Sequence, residues 1–178
     1  MSPGVKGPRP TNRKRTHAAF LSLGSNLGDR ADSIRQALAR LRQTGMKVRR
    51  VSSLYETEPV DHRAQPWFLN CVAEVATKLS PGQLLSACKS IERALGRRPS
   101  IPKGPRAIDI DILFYENVVV RSSVLTIPHG RLSERRFVLV PLRELAADLR
   151  HPITQRTVLE MLRDTPDSGK VIRLRSEC

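Results

Sequence analysis

The chain has 178 residues, of which 39% are hydrophobic and 4% aromatic. This composition is ordinary for a folded domain and argues against wholesale disorder, and the sequence has no apolar run of about 18 residues that would suggest a transmembrane helix. The net charge of +14 favours a polyanionic partner, which is either a nucleic acid or a nucleotide polyphosphate. Charge alone does not choose between these two classes.

The cysteines and the N-terminal segment predict a compartment and a domain boundary. Cys71, Cys88 and Cys178 match neither a zinc motif nor a CxxC motif. The N-terminus lacks the apolar core of a secretory signal, so we expect reduced thiols and a cytoplasmic protein. Residues 1–16 are basic, contain no acid and include several prolines and glycines. They predict a disordered basic tail before a single domain over 17–178.

The first predicted elements are a strand, a helix and a second strand. Residues 18–23 form an apolar run that enters a turn at Gly24-Ser25-Asn26. Residues 30–43 carry apolar side chains at helical spacing, and β-branched residues over 47–58 predict a strand. The proline-bounded segment 59–66 predicts a loop.

The next elements repeat this order. Residues 68–77 alternate between apolar and polar side chains, as a strand does. Ser80 and Pro81 are typical of a helix start and Gly96 of a helix end. A strand follows over 107–114, with 118–120 expected to pair with it. Short helices are predicted over 131–136 and 154–162, and a last strand over 171–174.

Over residues 18–114 the predicted order is strand, helix, strand, strand, helix, strand. This order predicts an α+β, ferredoxin-like βαββαβ core with C-terminal helical and strand additions. Enzymes, RNA-binding proteins and metal carriers all use this fold, so it does not identify a function.

The segment Ile108-Asp109-Ile110-Asp111-Ile112 carries the strongest chemical signal. On a strand, the isoleucines face the core and the two aspartates share the opposite face, with Cβ atoms about 7 Å apart. Two carboxylates this close repel each other unless a cation lies between them. Hard oxygen ligands in small number suit Mg²⁺ that also contacts substrate phosphates, including a two-metal pair.

Taken alone, the acid pair also fits a strand whose solvent face happens to be acidic. The adjoining loop 97–106 changes the balance because it carries Arg97, Arg98, Lys103 and Arg106. Acids beside a basic loop are what a metal-bound polyphosphate needs. The sequence contains neither GxxxxGK[ST] nor GxGxxG, so Arg and Lys side chains would hold the phosphates. Gly24-Ser25-Asn26 is a weak candidate for a phosphate loop and fits a tight turn better.

Several short segments together resemble the 6-hydroxymethyl-7,8-dihydropterin pyrophosphokinase family, in unbroken order over residues 18–145. The segments are Leu23-Gly24-Ser25-Asn26-Leu27, Gln65-Pro66, Phe68-Leu69-Asn70, Ile91-Glu92, Gly104-Pro105-Arg106, Asp109-Ile110-Asp111-Ile112-Leu113, Pro128-His129, and Arg135 with Phe137. The block from Gly104 to Leu113 is the most specific of them.

The resemblance implies Mg-dependent transfer of diphosphate from ATP, the co-substrate, to the hydroxymethyl group of the pterin. Asp109 and Asp111 would bind two Mg²⁺ ions, and the catalytic set would be Arg97, Arg98, Arg106, Asp109 and Asp111. Phe68 and Phe137 would sandwich the pterin, with Asn70, Thr57 and Val60 at its edge. The residues implied for ATP are Lys89, Glu92, Lys103, Arg106, Ile112, Thr126, His129 and Arg135.

The chain departs from the family pattern at two places. Pro102-Lys103 stands where the family often has Arg-Trp, and Gly130 stands where an aromatic residue often follows the histidine. Two other hypotheses therefore stay open, a basic RNA-binding protein on the same fold and a degenerate relative that binds ligands without turnover. We expect a monomer that acts on small molecules, with no membrane and no specific nucleic-acid partner.

Overall fold

The computed structural model describes residues 15–60, 64–97 and 104–175. The helices and strands within these ranges follow in chain order, with a 3₁₀ turn at Leu132–Glu134 ahead of α3. They are β1 (His17–Ser25), α1 (Arg30–Gln43), β2 (Lys47–Val51), β3 (Tyr55–Thr57), β4 (Phe68–Thr77), α2 (Pro81–Ala94), β5 (Asp109–Tyr115), β6 (Val120–Arg121), β7 (Thr126–Ile127), α3 (Arg136–Ala146), α4 (Val158–Asp164) and β8 (Val171–Arg173). Residues 1–14 of the predicted tail, Arg98, Lys103 and Cys178 lie outside the described ranges.

The main sheet has the order β5-β1-β4-β3-β8, and β2 pairs with β4 next to β3. All of these pairings are antiparallel. β4 therefore lies between β1 and the β2–β3 segment, while β1 lies between β4 and β5. This arrangement is the split βαββαβ topology, so the α+β, ferredoxin-like prediction is confirmed.

The structure confirms several predicted elements at or near their bounds. α1 and β4 have the limits expected from the sequence, and α1 buries the four apolar residues that its spacing selected. The side chain of Ser80 accepts a hydrogen bond from the Gln83 N–H, and the side-chain oxygen of Gln83 accepts one from the Ser80 N–H. This reciprocal cap satisfies two backbone donors at the start of α2. Gly96, at φ +87°, follows the end of that helix.

The prediction of one strand over 47–58 was wrong, because the chain breaks into β2 and β3 at residues 52–54. The Ser52 N–H donates to the Val72 carbonyl at 2.9 Å. The Ser53 N–H instead turns toward α3 and donates to both carboxylate oxygens of Glu144, at 3.1 Å each. A side chain from a distant helix thus satisfies the backbone at the break, which propensity along 47–58 does not reveal.

The predicted pairing of 118–120 with the preceding strand was also wrong, since β6 pairs with β7. Other groups occupy the outer edge of β5. The Ile110 N–H donates to Glu92 Oε1 at 2.7 Å, and the Leu113 carbonyl accepts from the His129 N–H at 3.0 Å. A third strand is therefore not needed to satisfy these backbone groups.

Two short helices differ from the prediction. The segment predicted over 131–136 is only a 3₁₀ turn, and α3 follows it directly. The helix predicted over 154–162 starts later, at Val158, because Thr157 caps it by accepting from the Glu160 N–H at 3.1 Å. Strand β8 ends one residue before the predicted limit and pairs with β3.

The two faces of the sheet are covered differently. One face packs against α1 and α2 through Leu21, Leu23, Cys71, Ile110 and Ile112, all buried. The other face packs against α3 and α4, but only over part of its area, through residues that include Phe20, Val72, Phe114, Leu139 and Met161. Beyond this second cluster, the same face becomes polar where β1 ends and β4 and β5 begin. No helix within the described ranges is long and apolar enough to cross a bilayer.

Glu144 joins the β2–β3 break to α3, since its carboxylate also accepts from the Tyr55 hydroxyl at 2.7 Å. We expect Glu144→Ala to lower the free energy of unfolding by about 1–2 kcal/mol, because the Ser53 N–H, the Ser53 hydroxyl and the buried Tyr55 then lose a charged acceptor. Asp148→Ala, an exposed acid just beyond the same helix, should change it by less than about 0.5 kcal/mol. Urea unfolding of both variants measures the difference, and equal stabilities would contradict this role for Glu144.

The same contact predicts a pH dependence. Burial would raise the pKa of Glu144, but the hydrogen bonds from Tyr55 and Ser53 outweigh it and hold the pKa below its ordinary value. The contribution of Glu144 to stability is therefore present at neutral pH and is lost as the pH falls through the folded-state pKa. The stability gap between the wild type and Glu144→Ala should close in acid.

Candidate active site

A pocket of about 270 Å³ lies on the polar part of the second sheet face. Strands β1, β4 and β5 form its floor, and the segment after β3 and the start of α3 form its walls. The predicted site residues that line it are Thr57, Val60, Phe68, Asn70, Lys89, Arg97, Arg106, Asp109, Asp111, His129, Arg135 and Phe137.

The acid pair occupies the floor on β5. Asp109 and Asp111 face the pocket, while Ile110 and Ile112 are buried in the core on the opposite face, as the alternation predicts. The register of β1 places Gly24 opposite Asp109 and Ser22 opposite Asp111. Both neighbours are small, and this leaves open space above the carboxylates.

Two arginines compensate the charge of Asp109. Arg97 Nη1 lies 2.6 Å from Asp109 Oδ1, and Arg106 Nη1 contacts Oδ2. Burial alone would raise the pKa of Asp109, but Arg106 and Arg97 outweigh it and hold the pKa below its ordinary value. Asp109 is therefore a carboxylate at neutral pH.

Asp111 is less well compensated. Burial and the neighbouring Asp109 charge raise its pKa, and the charges of Lys89, Arg135 and Arg106 offset this only in part. Arg135 Nη1 lies 3.7 Å from Asp111 Oδ2. His129 Nε2 lies 3.9 Å from the same oxygen. Burial and the charge of Arg135 lower the pKa of His129 to about 4, so its ring is neutral at physiological pH. The imidazole is thus a polar contact and contributes no charge.

Glu92 supports the acid-bearing strand from behind. It is 1% exposed on α2 and accepts hydrogen bonds from the Ile110 N–H and from Lys89 Nζ at 3.0 Å. It also pairs with Arg97, so a single carboxylate joins α2, β5 and the start of the basic loop. Glu92 does not line the pocket, and the sequence gives no sign that this flank of α2 is buried.

The opposite wall is aromatic and amide-rich. Phe68 and Phe137 are only half-buried, which leaves ring surface facing the pocket. The Arg135 guanidinium lies 5.7 Å from the centre of the Phe137 ring. Asn70 is 3% exposed and donates to the Thr57 hydroxyl at 2.7 Å, which orients its amide oxygen toward Gly24. A flat ring with N–H donors fits this wall.

Two further residues predicted for ATP lie away from the pocket. Arg98 of the predicted catalytic set and Lys103 of the predicted ATP set lie outside the described ranges. The side chain of Ile112 is in the core, and Thr126 lies on the exposed side of β7. For Arg98 and Lys103 the structure gives no position, so their roles stay predictions from the resemblance.

The pocket also includes residues that the sequence analysis did not assign to it. They are Ser22, Gly24, Glu58, Gln65, Gly104 and Arg131. Gly24, Gln65 and Gly104 belong to the motifs that carry the resemblance, so a signal for them existed. Ser22 joins the site through the register between β1 and β5, which the sequence does not specify.

Asn26 acts as a link between the loops around the pocket, not as part of a phosphate loop. It is 2% exposed, and its amide donates to Gln65 Oε1 at 3.1 Å and to the Pro66 carbonyl at 3.2 Å. Its oxygen accepts from the Arg106 N–H at 2.7 Å. Gly24 and Ser25 continue β1, so the expected turn begins two residues later than predicted.

The acid pair fits a divalent cation that shares its ligands with a substrate. Within residues 15–60, 64–97 and 104–175, no group of three or more His, Cys, Asp and Glu side chains could hold a metal. Two carboxylates alone suit Mg²⁺, which keeps water and takes phosphate oxygens as further ligands. The raised pKa of Asp111 beside Asp109 marks a place where a cation would relieve repulsion.

The chain as a whole is similar to proteins of one family. Residues 20–147 match the model of a family described as 7,8-dihydro-6-hydroxymethylpterin-pyrophosphokinase. The chain is 51% identical over 159 residues to the folic acid synthesis protein fol1 of Schizosaccharomyces pombe, covering 89% of this chain and 21% of that protein. It is 42% identical over 137 residues to the 2-amino-4-hydroxy-6-hydroxymethyldihydropteridine pyrophosphokinase of Bacillus subtilis, covering 76% of this chain and 82% of that protein.

A solved structure supports the fold. The HPPK-DHPS protein of Plasmodium falciparum with pterin and p-hydroxybenzoate aligns with a TM-score of 0.67 at 18% identity, covering 86% of this chain and 44% of that one. The chain thus spans about a fifth of its fungal relative, less than half of the Plasmodium protein and most of its bacterial relative.

The close approach of Gly24 to Asn70 predicts a sensitive position. A Cβ at Gly24 would lie 2.5 Å from Asn70 Oδ1, so Gly24→Ala must displace the amide. Losing one buried hydrogen bond should weaken pterin binding about tenfold or more. Gly82→Ala is the control, because a Cβ there meets no atom within 4 Å. Equal pterin affinity for the two variants in calorimetry would exclude Asn70 from recognition.

Proposed function

Since the chain belongs to the 7,8-dihydro-6-hydroxymethylpterin-pyrophosphokinase family, we propose that it transfers diphosphate from ATP to 6-hydroxymethyl-7,8-dihydropterin. The products are AMP and the pterin diphosphate, in folate biosynthesis. One observation carries the proposal, namely that paired carboxylates lie between an aromatic wall and a set of cations in the same pocket.

The reaction is a displacement at the β-phosphorus. The hydroxymethyl oxygen forms a bond to this phosphorus, the bond to the oxygen bridging the α- and β-phosphates breaks, and AMP leaves with that oxygen. The hydroxyl proton is released. Such chemistry needs positioning and charge neutralisation more than a covalent nucleophile, and the pocket supplies both kinds of group.

Asp109 and Asp111 would hold two Mg²⁺ ions on the pocket floor. Bound there, the ions would neutralise phosphate charge and acidify the attacking hydroxyl. Arg97 and Arg106 keep Asp109 in the ionised form that a metal ligand requires. Glu92 fixes β5 through the Ile110 N–H and so maintains the spacing of the two acids.

The aromatic wall would bind the pterin. Phe68 and Phe137 offer ring faces for stacking, and the Asn70 amide oxygen can accept from a pterin N–H. Because Asn70 donates its own N–H to Thr57, its oxygen is left to face the ligand. Backbone groups near Thr57 and Val60 complete the edge.

The cationic side would bind the triphosphate. Arg106, Arg135 and Lys89 line the pocket near the acids and would contact phosphate oxygens. His129, neutral at physiological pH, can donate or accept a hydrogen bond to the nucleotide. Arg98 and Lys103 are further candidates from the basic loop.

The compartment and the oligomeric state are proposed from the sequence. We propose a monomer that acts in the cytoplasm, as expected from the sequence. A relative from Pisum sativum, 49% identical over 125 residues, is named as mitochondrial, so relatives of this chain differ in compartment.

The two other hypotheses make different electrostatic and kinetic demands. An RNA-binding sheet would present aromatics among cations, whereas here Asp109 and Asp111 lie on the open face and would repel a phosphate backbone in the absence of a metal ion. A degenerate relative would keep the pocket but form no AMP.

AMP formation from ATP tests the proposal. With Mg²⁺, the purified protein should form AMP only when 6-hydroxymethyl-7,8-dihydropterin is added. Asp111→Ala should lower the rate at least about a thousandfold by removing a metal ligand, with the melting temperature little changed. Asp148→Ala, an exposed acid away from the pocket, should turn over like the wild type.

Two results would contradict the proposal. Absence of AMP from folded wild-type protein would favour the degenerate relative. Near-normal turnover in Asp111→Ala would remove this residue from the metal site.

A further inference from the structure

A C-terminal segment, residues 167–173, connects the two walls of the pterin side of the pocket. It lies beyond residues 20–147, the part of the chain that matches the family. The segment contains Asp167, Lys170 and strand β8, and it follows α3 from its first turn toward its last. None of its residues lines the pocket, so any influence on ligands is indirect.

The first connection is at the start of α3. Asp167 Oδ2 accepts a hydrogen bond from the Arg136 N–H at 2.8 Å. Helix α3 needs this acceptor because its own N-cap residue, Arg135, makes no side-chain cap and its first turn has no acid. Both neighbours of Arg136, namely Arg135 and Phe137, line the pocket. Asp167 therefore holds the backbone between an aromatic and a cationic side chain of the site.

Asp167 is itself held in place. Its Oδ1 accepts from the Gly169 N–H at 2.8 Å, so its two oxygens serve different partners. A Cβ at Gly169 would come within 3.0 Å of this oxygen. The tight turn fixes the direction in which the carboxylate points to α3.

The second connection is at the opposite wall. Glu58 Oε2 accepts from the Lys170 N–H at 2.9 Å, and the Glu58 N–H donates to the Lys170 carbonyl at 3.2 Å. Glu58 itself lines the pocket, as do Thr57 and Val60 on either side of it. Lys170 is three residues after Asp167, so the same short segment contacts both walls of the pocket.

Strand β8 anchors the segment. It pairs with β3, where Thr57 lies opposite Val171. Arg173 donates to the Ser53 hydroxyl at 2.9 Å and lies 3.7 Å from Glu144 near the end of α3. The segment is therefore fixed to the sheet edge and to both ends of α3.

We propose that Asp167 and Glu58 are positioning residues that set the separation of the two pterin-binding walls. The inference rests on the proposed function, since it concerns the pterin side of that site. A stacked ring leaves little tolerance in the spacing of its walls, because a gap of less than 1 Å already forfeits a large part of the contact energy. Releasing either connection should weaken pterin binding and leave the acid pair on β5 in place.

The variants separate wall positioning from general stability. Asp167→Ala and Glu58→Ala should each weaken pterin binding about fivefold or more, as expected for loss of one ordered backbone contact. Glu58→Gln should restore binding, since its amide oxygen can still accept from the Lys170 N–H. Asp164→Ala is the matched control, because Asp164 is an exposed acid that pairs with Arg163 at the end of α4.

The measurements are the pterin dissociation constant by calorimetry, KM for each substrate, kcat and the melting temperature. We expect the pterin Kd and KM to rise in both variants while kcat stays within twofold of wild type. KM for ATP should stay within twofold in Glu58→Ala and rise by a smaller factor than the pterin KM in Asp167→Ala, because Arg135 adjoins Arg136. An unchanged pterin Kd with a lower melting temperature would overturn the inference and leave a purely structural role. A parallel fall in kcat and in affinity for both substrates would overturn it as well.

Pterin binding by the wild type distinguishes a failure of the proposed function from a failure of the positioning role. If the wild type binds no pterin, the proposed function fails before any variant is compared. If the wild type binds pterin and Asp167→Ala binds it equally well, only the positioning role fails.

Discussion

Repulsion between two carboxylates on one strand is the constraint around which this pocket is built. Asp109 and Asp111 share one face of β5, partly withdrawn from solvent, and their neighbours offset the charge unequally. Asp109 contacts two arginines, while Asp111 keeps a raised pKa beside a more distant Arg135. The site thus combines one acid whose pKa two arginines hold low with one whose pKa stays raised, and further cations, including Lys89 and Arg135, line the same pocket.

The division of the second sheet face decides where this pair can lie. Helices α3 and α4 cover only the apolar part of that face, and the polar part stays open as the pocket. Small residues on β1 leave room above the acids, and Asn26 joins the loops on two sides. The same strands therefore supply a packed core and a binding surface. The boundary between them lies where the side chains on this face change from apolar, under α3 and α4, to polar.

Patterns confined to one element predicted this protein well. The alternation in β4, the spacing in α1, the cap at Ser80 and the orientation of the two aspartates all follow from local periodicity. Each of these depends on residues a few positions apart, where backbone geometry dictates which side chains share a face.

Features that depend on contacts between distant residues were not predictable. The break between β2 and β3 depends on Glu144 of α3, and the pairing of β6 depends on groups that already occupy the edge of β5. The inclusion of Ser22 and the burial of Glu92 depend on register and helix docking. These contacts join residues that are far apart in the chain, so no short pattern in a single sequence predicts them.

The outermost position of β5 in the sheet has a consequence for solubility. An uncovered edge strand offers unpaired N–H and C=O groups to another chain and invites association. Here the Glu92 side chain and the His129 backbone occupy two of those groups, and both residues also belong to the surroundings of the acid pair. A substitution of Glu92 would therefore have two effects at once: it would disturb the surroundings of the acid pair, and it would expose the Ile110 N–H at the edge of the sheet to pairing with another chain.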